Sequence, residues 1–158
     1  MTQHEIIKGR LDYARRWLTD VLPRLTPEML SWAPTTGMRT VAGQLVEIIA
    51  VEAQLVPALK NGRLLTDDEI SAIASEQSSL DALLIALTDV RKLTIECLEG
   101  LSEADLAAEV TLPQWYGAYW LRPGPCGEHF RNIAEHEFYH VGQLMSYLWA
   151  KGDNPYDW

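Results

Sequence analysis

The chain has 158 residues, 47% hydrophobic and 22% charged, proportions that exclude a disordered segment and fit one globular domain over 1–158. Lys and Arg number 13 against 22 Asp and Glu, a formal charge of -9, and the longest basic pair is Arg15-Arg16; no nucleic-acid partner and no polybasic membrane anchor are expected. Cys97 and Cys126 make no disulfide framework, and the acidic start Met1-Thr2-Gln3-His4-Glu5 is not a signal peptide, so a reduced, cytoplasmic protein is the default.

Four stretches carry the three/four spacing of an amphipathic helix. The first runs from about Gln3 to Leu22 through Ile6, Ile7, Leu11, Ala14 and Leu18. Thr26-Pro27-Glu28 marks a short helical start. A second long helix follows from Thr40, a credible N-cap, to Leu59, with Val41, Leu45, Ile48 and Leu55 on one face. Glu47 and Glu52 interrupt its apolar run, so no membrane span is expected. Thr66-Asp67-Asp68-Glu69 is a capping box, and Ser102-Glu103-Ala104-Asp105 a weaker one. Between them lies the third long helix, about Ser79 to Leu98. The fourth runs from about Glu128 to Ala150 and stops at Gly152, ahead of Pro155.

Strand signals are nearly absent; only Val110-Thr111-Leu112 and the aromatic loop after it could pair. That loop, Thr111 to Gly127, holds Trp115, Tyr116, Tyr119 and Trp120, and reads as a packed cover in preference to a lid. The expected class is all-α, a four-helix bundle whose long linkers permit crossover connections.

The fourth helix carries His136-Glu137-Phe138-Tyr139-His140. Imidazoles four residues apart lie one turn apart on one face and can reach a single metal ion. The run also matches the zinc-protease pattern H-E-x-x-H, in which the glutamate activates a metal-bound water. The extension of that motif fails, because Gln143 stands where a glycine is needed and only Asp153 and Asp157 follow as acids. His129 is about 10 Å along the axis from His136, too far to share the ion, and reads as a cap-region or surface histidine. His4 carries no signal. Cys126 could gain reactivity at a helix N-terminus, although a plain loop cysteine is the preferred reading.

Leu30-Ser31-Trp32-Ala33-Pro34, then Arg39-Thr40-Val41-Ala42-Gly43-Gln44-Leu45-Val46-Glu47-Ile48, together with Ala134-Glu135-His136-Glu137-Phe138-Tyr139-His140-Val141-Gly142-Gln143-Leu144, resemble the DinB/YfiT-like family of candidate metalloenzymes. The resemblance implies a crossover-connected four-helix bundle, often a homodimer, that holds one divalent metal (Zn, Ni, Fe or Mn) through a histidine triad. His136 and His140 match two triad members. At the third position the family register reaches Glu47, giving a two-histidine, one-carboxylate set. Helical geometry leaves Glu52 as a rival. It falls in the middle of the apolar face and needs a partner, a histidine N–H or the bundle's end, whereas Glu47 lies at the edge where a pocket between helices opens. Glu47 is preferred.

The resemblance further implies thiol transfer or isomerisation on a small molecule, with low-molecular-weight thiols as the candidate partners. A metal would lower the pKa of a bound thiol or water. The competing expectation is a metal-binding or interaction module without turnover.

Overall fold

The computed structural model describes residues 1–113 and 123–158. The cover and lid readings of the aromatic segment with Trp115, Tyr116, Tyr119 and Trp120 fall outside the described residues. Six α-helices account for most of what is described.

Helix α1 (Gln3–Val21) starts at a full capping box: the Thr2 hydroxyl accepts the Glu5 N–H, and the Glu5 carboxylate accepts the Thr2 N–H. Its buried residues, Ile7, Leu11, Ala14, Leu18 and Val21, keep the expected spacing. The start at Thr26 yields a single 3-10 turn, Pro27–Met29, because the Thr26 side chain makes no cap. Thr40 caps α2 (Val41–Asn61) by accepting the Gly43 N–H, and Gly62 ends it at φ 61°, a left-handed conformation that favours glycine. By length and composition alone α2 is long and apolar enough to cross a membrane, and 67% of its most apolar window is buried within the fold.

Both capping boxes produce short helices, α3 (Asp67–Ile73) and α5 (Glu103–Ala107). Between them Ser79 caps α4 (Leu80–Glu99). Strand β1 (Glu109–Val110) pairs antiparallel with β2 (Gly124–Pro125). Helix α6 (Cys126–Ala150) starts two residues before the expected Glu128; Pro125 precedes it without a side-chain cap, and the Cys126 N–H donates to Ala108 O.

Helix α1 packs along α6, and α2 packs against both α4 and α6. The apolar interior divides into two clusters, one around Leu18, Leu45, Ile48, Leu87 and Leu144, the other around Leu11, Leu55, Leu98, Phe130 and Ile133. At or beside the division, each of the four long helices carries one buried or half-buried charge: Arg15, Glu52, Arg91 and Glu137.

These four form a closed ion quartet. Arg91 donates from Nε to Glu52 Oε1 at 2.6 Å and from Nη2 to Glu52 Oε2 at 3.1 Å, and it also bonds Glu137 Oε2. Arg15 donates from Nε to Glu137 Oε1 at 2.6 Å and from Nη2 to Glu52 Oε2 at 3.2 Å. Their remaining Nη1 groups reach the Leu87 and Leu11 carbonyls at 2.7 and 2.8 Å. Although burial opposes its charge, Glu52 and Glu137 raise the pKa of Arg91, so it stays a cation. Two positive and two negative charges cancel, the condition under which buried ions are tolerated.

Candidate metal centre

Three donors converge where α2 meets α6. One ligand atom each from Glu47, His136 and His140 lies within 4.8 Å of the other two. The histidines are buried and Glu47 is half-buried. The two imidazole Nε2 atoms stand 3.1 Å apart, close to the edge of about 3.3 Å that two metal–nitrogen bonds of about 2.0–2.1 Å subtend in a tetrahedron. Chemically, two imidazoles and a carboxylate suit zinc, iron, manganese or nickel. The residues present therefore fit a divalent ion.

A hydrogen-bond chain fixes how His140 presents itself. The Arg39 carbonyl can only accept, so the Tyr147 hydroxyl donates to it, at 2.8 Å. That hydroxyl then accepts from Gln44 Nε2 at 3.0 Å. Gln44 Oε1 is left facing His140 Nδ1, and an amide oxygen only accepts. His140 therefore carries its proton on Nδ1 and offers the Nε2 lone pair toward His136, the tautomer a metal needs.

Both rings are neutral at ordinary pH. Burial, then the neighbouring His140 and the Arg39 cation, lower the pKa of His136 to about 3. Burial and Arg39 lower that of His140 to about 4, against a weaker opposing pull from Gln143. Neutral imidazole is the ligating form.

Several sequence readings change. Glu52 contacts neither a histidine nor the end of the helix array; it is 1% exposed and bound by Arg91 and Arg15. Glu137, the would-be protease base, has both oxygens held by the same arginines and faces away from the triad's chemistry. His129 is no surface residue: it is 1% exposed, and burial depresses its pKa against a weaker opposing pull from the Val110 backbone. Cys126 is buried, and burial raises its pKa, the opposite of activation. His4, which carried no signal, bridges α1 to Glu103 and to the carbonyls of Leu98 and Leu101. Sequence reasoning also missed Arg15, Arg91, Gln44 and Tyr147; Glu52's position on an apolar face was the only hint of a buried cation.

Comparison with solved structures finds the same fold in DinB-like proteins. One, from Exiguobacterium sibiricum 255-15 and described as a candidate member of the DinB family, superposes with a TM-score of 0.67 at 16% identity over 96% of this chain and 93% of that one. A DinB-like protein from Bacillus cereus ATCC 10987 gives 0.68 at 17% identity, over 94% and 92%. The colibactin self-resistance protein ClbS, solved in complex with a dsDNA, gives 0.65 at 16% identity, over 92% and 95%. That complex corrects the expectation, drawn from the -9 charge, that nucleic acid is excluded: a formal charge sums the whole chain and does not describe one face of it. No curated protein matches the chain. The profile of the DinB superfamily matches residues 10–144, most of the chain, and with the helix order and the neighbours in agreement the chain belongs to the DinB superfamily.

Proposed function

We propose that Glu47, His136 and His140 hold one divalent metal ion and that the protein is a metal-dependent enzyme acting on a small molecule, with a thiol or water as nucleophile. The observation that carries this reading is the convergence of three ligand atoms within 4.8 Å, two of them on buried, neutral imidazoles. Bound there, a divalent ion supplies Lewis acidity that lowers the pKa of a thiol or water. The chain's own contribution is positional: Gln44 holds the His140 proton on Nδ1, and burial keeps both rings unprotonated. Glu47 adds one negative charge that a third imidazole would not, which tempers the acidity.

Elemental analysis of untagged protein tests the reading. One equivalent of metal in the wild type, lost in His136→Ala and in Glu47→Ala, supports it. Glu47→His should keep the ion, since either donor completes the set. Unchanged metal in His136→Ala would sink the assignment. Turnover is then assayed with thiols against a panel of electrophiles, with and without chelator; a loaded protein inert throughout leaves a binding module. The same reading takes the four long helices as one bundle domain over 1–158 that pairs as a homodimer, which light scattering at the mass of two chains supports.

A second reading, a DNA duplex as partner, is favoured by the ClbS complex. Saturable binding of a labelled duplex that weakens with salt supports it, and a flat anisotropy titration at low salt removes it.

A further inference from the structure

Arg39 stands immediately before the cap of α2, and its Nη2 lies 3.2 Å from Glu47 Oε2. Two features separate it from an ordinary surface ion pair. The backbone around it is pinned: its carbonyl accepts the Tyr147 hydroxyl, Thr40 caps α2, and the Val41 and Ala42 N–H groups donate to the Trp32 and Leu30 carbonyls at 2.9 Å each. Its guanidinium, by contrast, is not used up. Close as it is to Glu47, it donates no hydrogen bond to any described residue, and the side chain is 49% exposed. The nearby Glu76 already accepts the Thr40 hydroxyl at 2.7 Å. Arg39 thus presents fork-shaped donors to solvent beside the triad, close enough for its charge to be felt at both histidines.

A divalent ion, the Glu47 carboxylate, two neutral imidazoles and the Arg39 guanidinium sum to about +2, which the Glu76 carboxylate hydrogen-bonded to Thr40 reduces to about +1. Inside a chain of formal charge -9, such a surplus selects for an anionic ligand. A guanidinium meets a carboxylate through two parallel N–H···O bonds, a geometry that also orients the ligand. We propose that Arg39 is the anion-recognising residue of this site, binding the carboxylate of a small molecule whose other end is held at Glu47, His136 and His140. This rests on the metal reading above.

Zinc-loaded wild type and Arg39→Gln are titrated calorimetrically with mercaptoacetate and with its neutral amide, and protein-bound zinc is measured before and after. The wild type should favour mercaptoacetate, and Arg39→Gln should cut that preference on the order of 10–100-fold while binding the amide as the wild type does. Arg39→Lys should restore only part, since a point charge lacks the fork. Equal preference in wild type and Arg39→Gln, or none in the wild type, overturns the proposal while the metal reading stands. Loss of zinc from Arg39→Gln overturns it as well, because Arg39 would then act by holding Glu47. A wild type that takes no zinc fails the metal reading, and this proposal with it.

Discussion

Glu137 lies one residue from a candidate ligand, yet its chemistry belongs to the helix interior. Its oxygens serve Arg15 and Arg91, so Glu137→Gln should leave a buried cation short of a counter-ion and cost about 3–5 kcal/mol of unfolding free energy, read by urea denaturation. Metal content should stay unchanged in whatever folds. Casein should not be cleaved by the wild type, because the glutamate that H-E-x-x-H chemistry requires is occupied. His4 supplies a different residue-scale effect. Glu103, an acceptor when ionised, faces Nδ1, while two carbonyls face Nε2, so both ring nitrogens are asked to donate and the imidazolium is favoured. The hydrogen bond to Glu103, opposed in part by desolvation, raises the His4 pKa above 6.5. Its stabilisation is therefore complete below that value and is lost as pH rises through the raised one. The stability gap between wild type and His4→Gln should shrink from acid to alkaline pH, and a gap independent of pH would refute the bridge.

Between elements, the link that matters to the site runs from α2 through Gln44 and Tyr147 to α6. Gln44→Leu should weaken metal binding on the order of 10–100-fold by freeing the His140 tautomer, measured by competition with a chelator. Tyr147→Phe should cost less, because Gln44 keeps its oxygen toward the ring. The long helices were legible in sequence because burial follows the three/four spacing and Thr2, Thr40 and Ser79 are true caps. The start of α6 was not, since Pro125 offers no capping side chain. His136 and His140 could be read from spacing and Glu47 from the family register. The arginines could not: Arg15 stood out only as half of the longest basic pair, and its partner Glu137 is 122 residues away. Tyr147 drew no attention in the sequence, because nothing local announces that its hydroxyl links Gln44, the partner of His140, to the Arg39 carbonyl.

For the molecule as a whole, an ion held only by the folded arrangement must stabilise it. Zinc at about 100 times its dissociation constant should add roughly 2.7 kcal/mol, seen as a higher Tm that chelator reverses. Glu47→Ala should abolish the increment without lowering the metal-free Tm in proportion. The quartet has a larger reach. Each long helix contributes one charge to it, so any assembly of three encloses a net unit charge with no counter-ion, a state costing several kcal/mol. Detaching a single helix is thereby penalised from within. Partial openings should be scarce, and the slowest amide protons of α1, α2, α4 and α6 should exchange together at the free energy of global unfolding, as one cooperative unit.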